Sequence, residues 1–353
     1  MIPNVNIWGP PPSFTLMQLT AAINRLPFTP RLVSSLGVFT PRPLSTTTTA
    51  VEMRNNTLAL VPAQPRGAPA SRDVGAVRSL VPFRIPHFAL RDTLLADSLQ
   101  DVRAFGTNDA PQPWGPALDE VLSRLSSRLD ATQEWLRLGA VRGQVITSVD
   151  RESGAPVSVI DLFDAFEVAP PQAVPFPMRG ATTEASAWSG AIMDACRRVN
   201  RMLQAELDGQ PPPGVAAVCG GDFYDALLTS AERRSTFLAT PEAPVLRASG
   251  LFTPTVFGGI QFFDYGSASI GALEFIAPDE AHFFPIGVPD LFVEAYAPAD
   301  YRDTVNTLAL PRYARSTDLD MDRGAEVEVQ TNVLPICTRP RVLVTGKLAD
   351  ARA

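Results

Sequence analysis

The sequence predicts an α+β fold on three observations: a long amphipathic helix that runs directly into a β-hairpin, strand-like stretches both early and late with a separate middle between them, and an extended, proline-rich lead-in. At roughly 100 to 200 residues per domain, the 353 residues suffice for about two lobes and a real core. Proline is the compositional outlier, with 34 residues, about twice the usual ~5%. Such a chain is rich in extended, loop-built structure.

Residues 1–44 carry Pro3, Pro10, Pro11, Pro12, Pro27, Pro30, Pro41 and Pro43, a density that forbids long helices and reads as an arm tied down on something else. Residues 45–108 read as a long two-stranded excursion. Its threonine run, Thr46 to Thr49, leads to strands at 57–61 and 77–85 around the flexible tip Pro65-Arg66-Gly67-Ala68-Pro69. With little apolar mass of its own, it must lie on a neighbour or in solvent. After Gly115-Pro116, apolar positions recur at helical spacing through Leu118, Val121, Leu122, Leu125, Leu129, Trp135 and Leu136, and Gly139 supplies a stop. The predicted helix spans about 22 residues, or ~33 Å. Strands at 144–149 and 157–160 follow as a hairpin. A proline-rich linker from Pro170 to Pro177 opens a middle segment. There a helix is predicted over 184–207, ended by Pro211-Pro212-Pro213-Gly214, then a buried strand at 215–219, a helix with Asp222 as N-cap, and strands at 256–265 and 273–276. The tail is strand-like again at 325–330 and 341–345.

Charge and cysteine usage exclude several functions. A formal net charge of −7 and a pI near 5.0 leave no diffuse basic surface, which disfavours wrapping by nucleic acid or binding to anionic membranes. Lys347 is the only lysine, so every other basic residue is an arginine. Cys196, Cys219 and Cys337 are odd in number, widely spaced and in no C-x-x-C pair, so neither a disulfide framework nor a zinc knuckle is suggested. The first 20 residues lack a basic start followed by an apolar run, and no long apolar run follows anywhere, which predicts a soluble chain without a standard secretion signal.

No constellation of nucleophile, base and stabiliser is legible. The two histidines, His87 and His282, each stand among aromatics and read as structural. Ser267-Ala268-Ser269-Ile270-Gly271 lacks the first glycine of a nucleophile elbow, and Gly346-Lys347 is not part of a P-loop. Asp318, Asp320 and Asp322 copy the first three ligand positions of a calcium loop, but Gly324 is displaced and Val329 stands where a bidentate glutamate is required, so an ordinary acidic turn is expected. Asp161 and Asp164 read as polar positions flanking a core segment.

The C-terminal third is more specific. Ile276-Ala277-Pro278-Asp279-Glu280-Ala281-His282-Phe283-Phe284-Pro285-Ile286-Gly287, Tyr296-Ala297-Pro298-Ala299-Asp300-Tyr301, Asn306-Thr307-Leu308 and Gln330-Thr331-Asn332-Val333-Leu334-Pro335-Ile336-Cys337-Thr338-Arg339-Pro340 occur in that order. With Arg66-Gly67-Ala68-Pro69, Pro86-His87-Phe88, Val102-Arg103-Ala104-Phe105-Gly106-Thr107 and Leu138-Gly139-Ala140-Val141-Arg142-Gly143 upstream, the chain resembles the major capsid proteins of tailed bacteriophages, the lambda major head protein family, collinearly from about residue 35 to 345.

The resemblance implies a Hong-Kong-97-type capsid fold: N-terminal arm 1–44, extended loop 45–108, peripheral domain 109–169 with a spine helix, axial domain 170–324, and C-terminal strands 325–353 returning to the peripheral domain. It implies self-assembly as hexamers and pentamers into the icosahedral shell around phage double-stranded DNA, with no enzyme centre, cofactor or metal. The implied partners are a separate scaffolding protein, since the chain begins directly with the arm, a portal protein and a decoration protein. The implied location is the virion capsid, assembled in the bacterial cytoplasm. Arg66, Gly67, Arg72, Arg78 and Phe105 are the expected assembly-interface residues. Two alternatives stay open: an encapsulin-like compartment shell, and an enzyme of unknown class using His282.

Overall fold

The computed structural model describes residues 20, 32–54, 78–100, 114–149, 156–179, 190–238, 254–266, 269–270 and 273–350. A one-turn helix, Leu32–Ser35, precedes β1 (Phe39–Pro43). Strands β2 (Thr48–Arg54) and β3 (Arg78–Arg84) pair antiparallel as a ribbon, and β4 (Phe88–Leu95) continues from it. The long helix Trp114–Arg142 feeds the hairpin β5 (Gln144–Val149) and β6 (Pro156–Asp161). The middle of the chain runs through β7 (Val174–Arg179), the helix Ala191–Glu206, β8 (Gly214–Cys219), the helices Gly221–Thr229 and Ala231–Leu238, β9 (Thr255–Phe257) and β10 (Ile260–Asp264). The short pair β11 (Ser269–Ile270) and β12 (Leu273–Glu274) follows, then β13 (Glu280–Ile286) and β14 (Phe292–Tyr296). The chain closes with β15 (Tyr313–Asp318), β16 (Gly324–Thr331), β17 (Val333–Cys337) and β18 (Val344–Asp350).

Three larger sheets organise these strands. A six-stranded sheet in the order β7-β18-β13-β8-β10-β9 forms the middle of the molecule. The β-branched and aromatic runs of β8 and β13 are buried almost throughout, as expected of strands covered on both faces. Phe176, Phe262 and Phe283 build an aromatic layer on it, and the helix Gly221–Thr229 lays Phe223 onto Phe176 at 5.2 Å between ring centroids. Gly346 lets β18 pass beneath this layer, since a Cβ there would stand 2.6 Å from the Phe283 ring. Each such ring contributes about 1.5 to 3 kcal/mol by leaving water.

The long helix serves two cores. Its first half sets Leu118, Val121, Leu122, Leu125 and Leu129 against Leu94, Ala314, Val327 and Val329 of the sheet β15-β16-β4. Its second half sets Leu136, Leu138, Ala140 and Val141 into the main core shared with the sheet β1-β14-β17 and the six-stranded sheet. No helix among the described residues is long and apolar enough to cross a membrane.

Several expectations are corrected. The helix does not stop at Gly139: it continues to Arg142, because Gly139 is needed for the close return of the hairpin, where a Cβ would lie 2.8 Å from the Gln144 carbonyl oxygen. The stop is Gly143, at φ +83°. Thr46 and Thr47 lead into β2, while Thr48 and Thr49 already belong to it, their β-branched side chains suiting the ribbon; the strand expected at 57–61 lies outside the described residues. The N-cap of Gly221–Thr229 is Gly220, not Asp222, since any side chain there would collide with the Ala277 carbonyl. The tail does not return as one piece to the long helix: β16 joins β4 and β15 there, but β18 pairs with β13 and β7 of the middle sheet. Conversely, β4 from 45–108 and β14 and β15 from 170–324 complete the two sheets on which the long helix packs. Many of these pairings join residues far apart in the chain, Phe39 with Phe292 and Leu90 with Val329 among them, and no local periodicity encodes them.

Candidate assembly surfaces and the arm anchor

Beside its apolar stripe the long helix carries Ser126, Asp130, Gln133, Glu134 and Arg137 at helical spacing, and the first four of these are buried. Each has a partner from another part of the chain. The Glu134 carboxylate accepts the backbone N–H groups of Val33 at 2.8 Å and Ser34 at 3.1 Å, together with the Ser34 hydroxyl and the Tyr265 hydroxyl at 3.3 Å. It therefore holds the start of the one-turn helix at 32–35.

Arg137 makes a bidentate pair with Glu294 of β14 at 2.9 and 2.8 Å, donates to Ser34 Oγ at 2.6 Å, and places its guanidinium 5.9 Å from the Phe39 ring centre. Burial works against this cation, but the hydrogen bonds and charge of Glu294 outweigh it and raise its pKa. Gln133 donates to Glu294 and to the Tyr296 hydroxyl, both at 2.9 Å, and that hydroxyl donates to Glu294 at 2.7 Å. Burial first, and the Glu294 charge next, push the Tyr296 phenol well up, so it stays a neutral donor. One turn earlier Arg312 reaches Asp130 and donates to Ser126 at 2.6 Å. Thr20 Oγ1 meets both the N–H and the C=O of Ala314 on β15. This polar seam escapes an apolar-periodicity reading, although its sequence signal is the run of Ser126, Asp130, Gln133, Glu134 and Arg137 flanking the stripe.

The ribbon is anchored differently. Val51, Phe83 and Ile85 at its root enter the main core, and the Ile85 N–H donates to Thr47 O at 3.0 Å. Leu80, farther out, is 70% exposed. Arg78 stands opposite Arg54 in the ribbon. Arg66, Gly67, Arg72 and Phe105 lie outside the described residues. An open groove of about 960 Å³ runs between β1, β2 and the turns at 207–213 and 287–291, with the Arg339–Asp208 ion pair on its lining at 3.2 Å.

The remaining candidates have structural surroundings. His282 is buried on β13, and burial first, then the Arg142 and Lys347 charges, lower its pKa to about 3, so it is neutral. His87 Nδ1 pairs with Asn332 Oδ1 at 2.8 Å. Since Asn332 Nδ2 donates to Pro298 O at 2.8 Å, the amide orientation is fixed and His87 Nδ1 carries the proton. Asp161 N-caps the helix Leu162–Ala165 by accepting from Phe163 and Asp164. No group of three or more acidic, histidine or cysteine side chains among the described residues is arranged to hold a metal ion. All three cysteines are buried, and burial pushes the Cys196 and Cys337 thiols up to about 12.

The described residues thus combine a segment at 32–35 pinned to the long helix, a two-stranded ribbon rooted in the main core and a separate six-stranded mixed sheet. The sequence signature of the family described as Phage major capsid protein E matches residues 15–348. The chain belongs to this family. It is 23% identical to the major capsid protein of Salmonella phage Felix O1, covering 96% of this chain and 97% of that one. It is 25% identical to the major capsid protein of Pseudomonas phage KPP10, with the same coverage. A solved structure described as a prophage capsid protein of E. coli CFT073 superposes with a TM-score of 0.59 at 16% identity, covering 96% of this chain and 99% of that one. The fold is the Hong-Kong-97-type capsid fold, and the chain is a phage major capsid protein, a structural component of the icosahedral virion shell.

Proposed function

We propose that the ribbon and arm carry the contacts between subunits, joining copies into the hexamers and pentamers of a shell around double-stranded DNA. The observation that carries this reading is the ribbon itself: a core-anchored root, an exposed Leu80, and no third strand beside it among the described residues. A two-stranded ribbon is marginal in water by itself, and a neighbouring subunit supplies the missing support. On this reading residues 1–44 are the arm, 45–108 the loop that reaches a neighbour, and Arg66, Gly67, Arg72, Arg78 and Phe105 its contacts. Glycine permits close backbone approach at the tip, and the arginines form forked pairs with carboxylates of the next copy. The net charge of −7 suits a container that must not bind its DNA tightly or by sequence.

The chain acts in this proposal as a structural protein without catalytic activity, assembled in the host cytoplasm. Because such contacts set adjacency and not shell radius, a separate scaffolding protein and a portal protein complete assembly, and a decoration protein is a further candidate partner. The test combines Arg66→Ala with Arg72→Ala. Shells counted by negative-stain microscopy should fall sharply, while thermal unfolding of the unassembled subunit stays within about 0.5 kcal/mol of the parent, as for surface changes generally. A strong shift in unfolding with normal shells would place the loop in the subunit's own core.

A further inference from the structure

We propose that the loop 301–311 is a self-complementary contact by which one copy of this chain meets the same loop of a neighbouring copy, an inference that rests on the shell-building reading and assigns it a second surface. Val305, Leu308 and Leu310 are 63%, 66% and 44% exposed, three large apolar side chains turned to solvent within six residues. A slack loop would fold such residues inward. This one is held by its own backbone. The Thr304 hydroxyl is shared between the carbonyls of Ala299 at 2.7 Å and Tyr301 at 2.9 Å, and the Thr304 N–H donates to Tyr301 O at 3.0 Å. Thr307 donates to Thr304 O through its N–H and its hydroxyl, Ala309 N–H donates to Leu44 O at 2.9 Å, and Leu310 N–H donates to the Tyr313 hydroxyl at 2.9 Å. Asn306, at φ +59°, reverses the chain between Val305 and Leu308. Tyr301, Thr304, Ala309 and Tyr313 are buried beneath, so the exposed side chains stand on a fixed base.

Apolar groups displayed on a rigid loop bind without the entropy cost of ordering that loop. Grouped in this way they mark a protein contact. The charges on the rim select the occupant. Arg302 and Asp303 stand side by side with side chains 96% and 55% exposed, and their 3.9 Å separation leaves both largely free to engage another molecule. A surface offering both signs next to each other fits a rotated copy of itself, with Arg302 of one loop against Asp303 of the next. A nucleic acid would call for one sign only.

Charge exchange tests this directly. Arg302→Asp or Asp303→Arg alone sets like charges across the contact and should lower the yield of shells about tenfold or more, with the urea midpoint of the unassembled subunit unchanged. The double exchange restores opposite signs and should recover the yield. As a second measurement, Leu308→Cys shells treated with a short bismaleimide should give cross-linked dimers on a denaturing gel, since Cys196, Cys219 and Cys337 are buried. Single variants that assemble like the parent, a double exchange as defective as the singles, or Leu308→Cys shells that yield only monomer would each overturn the loop contact. The double-exchange failure would point to a different protein, such as a decoration protein, on this surface. Shells formed by the parent chain keep the two readings apart: their absence would count against shell building, whereas intact shells that ignore the exchange count only against the loop.

Discussion

Arg137 illustrates how one side chain joins three distant segments: the long helix, β14 through Glu294 and the arm root through Ser34. Removing it leaves the buried Glu294 carboxylate without its cation. Arg137→Ala should destabilise the subunit by about 3 to 5 kcal/mol in urea unfolding, and loosen the arm so that residues 32–35 become protease-sensitive. Ser34→Ala, which removes a hydroxyl and no charge, should cost only about 1 kcal/mol; equal losses would mean that the ion pair is not the anchor. His282 supplies a pH dependence of known sign. Its folded pKa is lowered to about 3 from an ordinary 6.5, so the unfolded chain binds the extra proton between those values. Its neutral form therefore contributes stability that is whole above pH ~6.5 and is lost as the pH falls toward ~3, at up to ~1.4 kcal/mol per pH unit. Between pH 7 and pH 5 the subunit should lose about 2 kcal/mol through this group. His282→Asn should flatten the stability-against-pH curve in that window, and an unchanged slope would show that the histidine is not buried neutral.

Two glycines separate backbone strain from crowding at the level of the element. Gly143 ends the long helix at φ +83°, and a Cβ there would stand 2.3 Å from the Phe163 ring. Gly209 has a similar φ of +78° but open space around it. Gly209→Ala should therefore cost about 1 kcal/mol, the strain alone, while Gly143→Ala should cost about 2 to 4 kcal/mol because the helix end and the β5–β6 hairpin must also move. Comparable unfolding midpoints for the two variants would argue that Phe163 swings aside freely.

For the whole particle, covalent chemistry is limited by composition. Lys347 is the sole lysine, and it sits on β18 paired with Glu280 at 2.9 Å, inside the middle sheet and not on the ribbon. An isopeptide bond needs a lysine amine delivered to an asparagine of a neighbour, so shells of this protein should be wholly non-covalent. Interfaces of standard size, roughly 1,200 to 2,000 Å² each, suffice for that when every subunit makes several. Mature particles boiled in detergent and reductant should release one band at 38.0 kDa. A ladder of multimers that disappears on Lys347→Arg would contradict this.

Periodicity and punctuation in the sequence determined the α+β class, the long helix, the hairpin after it and the buried strand at β8, because each is encoded within a few neighbouring residues. The ordered motifs around Glu280 to Gly287 and Gln330 to Pro340 went further and pointed to the capsid family that residues 15–348 match. Tertiary structure alone decided which strands pair across the chain: β18 with β13 and β7, β1 with β14, and β4 with β16. It also decided what Asp130, Glu134 and Arg137 do, since in sequence they look like ordinary solvated charges on a helix and only the arrival of Arg312, Ser34 and Glu294 buries them. The exposed apolar loop at 301–311 belongs to the same class, because exposure is a property of what packs nearby. Local rules fix conformation through contacts a few residues apart, whereas burial of a charge or exposure of a leucine depends on partners that the folded chain brings from far away.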